Sequence, residues 1–135
     1  MKNIEQIRGF LDVFVAWASD QVDVQGIALV GSYARGAAKD DSDIDLVILS
    51  EQPQKYLNDI TWAGRFWVIE KQQTEDYGEL ISLRVWYQDG HEVEYGITTP
   101  DWAATPLDAG TREVILGGMI VLFEREVLLS RHMSL

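Results

Sequence analysis

The sequence predicts an α+β (or α/β) domain built on a mixed β-sheet flanked by helices. Three observations predict it. The chain opens on a stretch with helical periodicity. Two apolar, strand-like runs follow, separated by a short helical turn. Several further strands come next, before a closing helix.

The elements follow in order. Within residues 3–23, Ile4, Ile7, Leu11, Phe14, Val15 and Ala18 recur at helical spacing and define an amphipathic helix. Val24 to Val30 reads as the first strand. Gly31 ends it, and Tyr33 to Ala38 is expected to form a short helix. Lys39 to Ser42 is a polar loop, and Asp43 to Leu49 is the second strand. Pro53 to Ile60 suits a short helical segment, and Phe66 to Lys71 a strand. Leu80 to Gln88 and His91 to Thr98 form a hairpin across the tight turn Asp89-Gly90. Asp108 to Leu116 is helical, with Asp108 suited to the N-cap. Met119 to Phe123 fits either a strand or a continuation of that helix.

With 135 residues, the chain suits one domain, and the expected organisation is a single catalytic domain over residues 1–135 without a separate C-terminal helical domain. The absence of cysteine excludes disulfides and Cys-based zinc sites. No run reaches the ~20 apolar residues that span a membrane, and no secretion signal opens the chain. A cytoplasmic location is the resulting expectation. The net charge of −11, from 11 basic and 22 acidic residues, opposes binding to bulk nucleic acid or to an anionic membrane. Five tryptophans are spread along the chain. Trp62, Phe66 and Trp67 suit core packing, with a dimer contact as the alternative. His91 and His132 lack ligand-like spacing and are expected to be exposed or beside turns.

The chemistry concentrates at Gly31-Ser32 and, a short loop later, Asp43-Ile44-Asp45. A strand ending in Gly-Ser and a tight turn suits a phosphate, because backbone N–H groups can face the anion. Gly31 would allow close backbone approach, and Ser32 would add a hydroxyl and an N–H. Asp43 and Asp45 stand at i and i+2, so both carboxylates share one strand face while Ile44 points to the core. Two such carboxylates repel unless a cation lies between them. Asp40 and Asp41 read as loop surface. A metal held by two aspartates recruits a third carboxylate, as ligand or as base on an attacking hydroxyl. Glu92 and Glu94 lie on one face of a later strand. Glu94, deeper in that strand, is the choice if it runs beside Asp43–Leu49. Arg35, Lys39 and Arg84 are candidate cations for a triphosphate. Neither a P-loop nor a Gly-x-Ser-x-Gly elbow is present.

Gly31-Ser32-Tyr33-Ala34-Arg35-Gly36 followed by Asp43-Ile44-Asp45-Leu46 resembles the polymerase-β-like nucleotidyltransferase superfamily. The resemblance is strong over about residues 25–50 and extends through Glu94 to about residue 98. It implies a mixed sheet flanked by helices, and Mg²⁺ (or Mn²⁺) ions held by Asp43, Asp45 and Glu94. It also implies a phosphate site at Gly31 and Ser32 with Arg35 nearby. The implied reaction moves a nucleoside monophosphate, AMP from ATP, to a hydroxyl acceptor and releases pyrophosphate. Two branches are similar. One holds minimal nucleotidyltransferases that serve as antitoxins to HEPN-type toxins. The other holds aminoglycoside-type adenylyltransferases, which Asp89 to Gly96 and Pro106 to Thr111 resemble. Larger relatives carry a second, helical domain, so a second copy or a helical partner protein would complete the pocket here. The alternative function is a binding protein that keeps the fold with little or no activity, such as an antitoxin holding a HEPN-type toxin.

Overall fold

The computed structural model describes residues 4–104 and 107–133. Asn3 and Pro106, which the sequence reading placed in a helix and in a family-like segment, lie outside the described residues. Six strands form one sheet in the order β3-β4-β5-β2-β1-β6. They are β1 (Val24–Val30), β2 (Ile44–Ser50), β3 (Ile69–Asp76), β4 (Ile81–Tyr87), β5 (Glu92–Thr98) and β6 (Met119–Glu124). β2 and β5 are parallel, and the other neighbouring pairs are antiparallel. The expected α+β fold with a mixed sheet is therefore present.

The two faces of this sheet have different coverings, and strand alternation assigns each residue to one of them. Ile44, Leu46 and Ile48 of β2 face a large core with Val93, Tyr95 and Ile97 of β5 and Leu83, Val85 and Tyr87 of β4. Helix α1 (Arg8–Ser19) closes that face through Phe10, Leu11, Phe14 and Ala18. An aromatic cluster thickens it: Trp17 stacks on Trp62 at 5.2 Å, and Phe10 on Trp67 at 4.7 Å. Trp62 is buried, with Phe66 and Trp67 packed against the core, in line with the core-packing role. The opposite face holds Val47 and Leu49 under Trp102, Ala103 and Ile115. Asp43, Asp45, Glu92, Glu94, Ser82 and Arg84 have the parity of this second face. Both faces of β1 and β2 are covered, which explains their near-continuous apolar sequences.

Local chemistry moves several element boundaries. The opening helix is shorter than 3–23. A 3₁₀ turn (Ile4–Ile7) leads into α1, and Asp20 closes it. The turn after β1 is helical at once, as α2 (Gly31–Ala34), rather than over 33–38. The short helix expected within 53–60 is α3 (Gln54–Asn58). The strand expected at 66–71 begins later, as β3, because a 3₁₀ turn (Thr61–Arg65) and the aromatic packing of Phe66 and Trp67 occupy the preceding chain. Met119 begins a strand that pairs with β1, not an extension of α4 (Ala109–Leu116). The positive φ of 119° at Gly118 breaks the helix from that strand. Asp108 caps α4 as expected, accepting the Thr111 N–H at 2.9 Å. Of the two expectations for His132, a place beside a turn holds, at the end of the 3₁₀ turn Ser130–His132, and exposure does not. It is buried, with its ring 2.8 Å from the Ala103 carbonyl, because the chain after β6 folds back under Trp102 and Ala103. Among the described residues no helix is long and apolar enough to cross a membrane.

Candidate active site

The site is set by register. In the parallel pair, Asp45 of β2 is opposite Glu94 of β5, and Ile44 is opposite Val93. Neighbouring strands lie ~4.8 Å apart, so side chains of like parity meet. Asp43 stands just before β2 on the same face. One carboxylate oxygen from each of Asp43, Asp45 and Glu94 lies within 4.8 Å of the others. All three residues are half-buried.

The environment of Asp45 is hostile to its own charge. Burial, then the charges of Asp43 and Glu94, push its carboxyl well above the ordinary carboxylate range. Three hard oxygen donors converging on one point form a donor set suited to Mg²⁺ or Mn²⁺. Gly31 adds a second constraint. Its φ is +76°, and a Cβ there would collide with the Asp45 carboxylate. The glycine therefore serves the close approach of the β1–α2 turn to the carboxylate, beyond any contact with a phosphate.

Glu94 is held at both oxygens. Ser82 Oγ donates to Oε1 at 2.8 Å, and Arg84 Nη2 donates to Oε2 at 3.0 Å. Arg84 also reaches Glu75 at 2.9 Å, Glu92 at 2.5 Å and Asp43 at 3.5 Å. Burial alone would lower the affinity of this guanidinium for its proton. The hydrogen bonds to Glu75 and Glu92 and the charge of Glu94 outweigh it, and the net shift is upward.

A cavity of about 800 Å³ opens beside the carboxylates. Asp45, Val47, Glu94 and Gly96 form its floor, the β3–β4 turn at Tyr77–Leu80 one wall, and Trp102 with α4 the other. Among its described lining residues Arg35 is the one arginine or lysine.

The structure brings Asp43, Asp45, Glu94, Gly31 and Arg35 to one place. Ser32 is half-buried in α2 and does not line the cavity. Lys39 is exposed on its loop, away from the cavity lining. Arg84 is committed to four carboxylates rather than left free for a triphosphate. Tyr33 is core. Glu92 pairs with Arg84 and lies outside the three-carboxylate cluster. Sequence reasoning missed Ser82 and the several partners of Arg84. The alternation of Ser82 and Arg84 with the apolar Leu83 and Val85 carried that signal, since it puts both polar residues on the face of Glu94.

This fold and site define a nucleotidyl-transfer class of domain. The sequence pattern of the nucleotidyltransferase domain family matches residues 12–100, and the chain belongs to that family. No curated protein matches it in sequence. Among solved structures it is similar to an aminoglycoside 6-adenyltransferase from Bacillus subtilis. There the TM-score is 0.55 at 14% identity, over 69% of this chain and 35% of that one. It is similar to a cytoplasmic RNA terminal U-transferase, with a TM-score of 0.53 at 14% identity, over 83% of this chain and 32% of that one. Cid1 in complex with the UTP analogue UMPNPP is also similar, with a TM-score of 0.52 at 14% identity, over 83% and 33% of the two chains. At these identities the likeness establishes the fold. The chain spans about a third of the length of these structures.

Proposed function

We propose that the protein is a metal-dependent nucleotidyltransferase that moves a nucleoside monophosphate, AMP from ATP, to a hydroxyl-bearing acceptor. The observation that carries this reading is the convergence of Asp43, Asp45 and Glu94 beside the Gly31 turn. Asp43, Asp45 and Glu94 would hold the divalent ions, Mg²⁺ or Mn²⁺. A bound ion supplies charge neutralisation at the triphosphate and polarises the α-phosphorus.

The chain's own residues do the rest. The cavity beside the cluster is roomy enough for a nucleotide. The Gly31 turn faces the phosphates in this reading, with Ser32 next to it in the chain but outside the cavity lining, and Arg35 adds a positive charge at the same rim. The acceptor oxygen attacks the α-phosphorus in line, the bond to the bridging oxygen of pyrophosphate breaks, and pyrophosphate leaves. The acceptor proton passes to a carboxylate, for which Glu94 is the candidate base. Preference for adenine rests on the family resemblance, since the solved neighbours are named for both adenylyl and uridylyl transfer.

Calorimetry of ATP binding with and without Mg²⁺, on the wild type and on Asp43→Ala/Asp45→Ala, tests the proposal. Metal-dependent binding that the double variant loses supports it. Absence of binding by the wild type sinks it in favour of a nucleotidyltransferase-fold binding protein.

A further inference from the structure

We propose that Arg84 is the resident counter-cation of the carboxylate cluster, and that a divalent ion and the Arg84 guanidinium contend for the same oxygens of Asp43 and Glu94. The inference rests on the cluster being a metal site.

Arg84 projects from β4 on the face shared by Glu94 and Asp45, where register pairs it directly with Glu94. Its guanidinium binds four carboxylates, and its side chain is 23% exposed. The four partners fall into two groups. Asp43 and Glu94 belong to the cluster. Glu75 of β3 and Glu92, at the start of β5, stand outside it. The outside contacts are 2.9 and 2.5 Å, and those to the cluster are 3.0 and 3.5 Å. The arginine is therefore anchored from outside while it lends two donors to the cluster.

Those two donors occupy Glu94 Oε2 and Asp43 Oδ2. Ser82 occupies the other oxygen of Glu94. A carboxylate oxygen engaged by a guanidinium gives up lone-pair density that a hard cation would use. The nearby positive charge opposes a second cation as well. In the metal-free protein the same charge offsets the repulsion among Asp43, Asp45 and Glu94. Because the effect is a linkage, the ion must weaken the Arg84 contacts as much as Arg84 weakens the ion. Glu75 and Glu92 retain the guanidinium when Asp43 and Glu94 are released, so no large movement of the strand is needed.

The test measures Mn²⁺ affinity by calorimetry on the full chain, for the wild type, Arg84→Met, Arg84→Lys and Asp45→Asn. Thermal melts in EDTA and in Mn²⁺ accompany it. The expected result is Mn²⁺ binding about tenfold tighter in Arg84→Met. That variant should melt lower than wild type in EDTA and recover in Mn²⁺. Arg84→Lys, which keeps the charge, should stay within about threefold of wild type. Nitrogen NMR of the wild-type arginine side chain gives an independent reading that needs no substitution. Restricted guanidinium rotation in EDTA should become freer on adding Mg²⁺.

Arg84→Met that binds Mn²⁺ no tighter than a binding-competent wild type overturns the inference. An Arg84 guanidinium signal unmoved at saturating Mg²⁺ does the same. A wild type that binds Mn²⁺ no better than Asp45→Asn overturns the metal-site reading itself, and this linkage with it.

Discussion

Asp45 and Glu94 are register partners across the parallel β2–β5 pair, and both turn to the sheet face that α1 leaves uncovered. Forty-eight residues of chain separate them, yet the strand spacing brings their carboxylates together with that of Asp43. This register separates the two candidate glutamates. Glu94→Gln is expected to remove metal-dependent nucleotide binding, while Glu92→Gln retains it within a few-fold. Calorimetry on the two variants decides, and equal losses would show that the cluster does not have the composition described.

The same crowding makes Asp45 a liability to the metal-free fold. An Asn there keeps the shape, has no ionisation for the fold to suppress, and offers an amide to Asp43 and Glu94. Asp45→Asn is expected to raise the melting temperature in EDTA by about 3–5 °C, corresponding to roughly 1 kcal/mol. Metal binding should be lost at the same time. An unchanged or lowered melting temperature would contradict the account of mutual repulsion.

Gly31→Ala acts on both stability and binding. The left-handed φ of 76° costs a side-chain-bearing residue about 1–2 kcal/mol. The new methyl group also meets the Asp45 carboxylate. Chemical denaturation should report that loss, with weakened metal binding beside it. By contrast, Gly36→Ala, at φ 72° with open space around its Cβ position, should lose stability without touching the metal site.

Acid stability is expected to depend on Asp23. It is buried among Ser50, Tyr56 and Lys55, whose donors lie 2.6, 2.6 and 2.8 Å from its carboxylate oxygens. Burial would raise its pKa, but the three hydrogen bonds outweigh it and hold the group at about 2. The folded state thus binds this proton more weakly than the unfolded state. The resulting stabilisation, about 2 kcal/mol, is complete above the ordinary carboxylate pKa and is lost as the pH falls from about 4 to 2. Asp23→Asn should be less stable at neutral pH and show a flatter acid limb in urea titrations. An acid limb that parallels the wild type would remove Asp23 from the explanation.

A buried hydroxyl chain gives an asymmetric pair of variants. Tyr87 Oη donates to the Ala63 carbonyl at 2.8 Å and lies 2.7 Å from Tyr95 Oη, which therefore donates to it. Burial is the main cause that pushes the Tyr87 hydroxyl pKa up to about 12. Tyr87→Phe leaves two buried groups without a partner, whereas Tyr95→Phe removes a terminal donor. The first should cost about 2–3 kcal/mol and the second about 1. Urea denaturation that ranks them the other way would reverse the direction of the chain.

The legibility of this chain in its sequence differed by residue. Ile44, Leu46 and Ile48 announced a strand because both faces of β2 are covered and its composition is uniformly apolar. Asp43 and Asp45 stood out against that background. Glu94 could be chosen over Glu92 by its depth in the strand. The element boundaries differ for separate local reasons, of which Phe66 shows one. Phe66 was read as strand by propensity, but tertiary packing against Phe10 and Phe14 draws it into the aromatic cluster instead. The burial of His132 is not legible locally, because the Ala103 carbonyl that its ring meets lies 29 residues earlier in the chain. Arg84 stands in the sequence only as a candidate cation beside Arg35 and Lys39, because three of its partners sit on other strands and only the pairing of β3, β4 and β5 shows how many carboxylates it answers to.

The sheet order has a consequence for biosynthesis. β1 and β2 are translated early and form an apolar hairpin, but each has an outer edge whose partner is made much later. The edge of β2 is covered by β5, and the edge of β1 by β6, whose pairing brings residue 26 against residue 124. Until both have left the ribosome, two bare apolar strands are open to pairing with other chains. The hairpin whose second strand carries Asp45 is thus an adhesive segment of the nascent chain, and its escape from aggregation depends on how quickly β5 and β6 arrive.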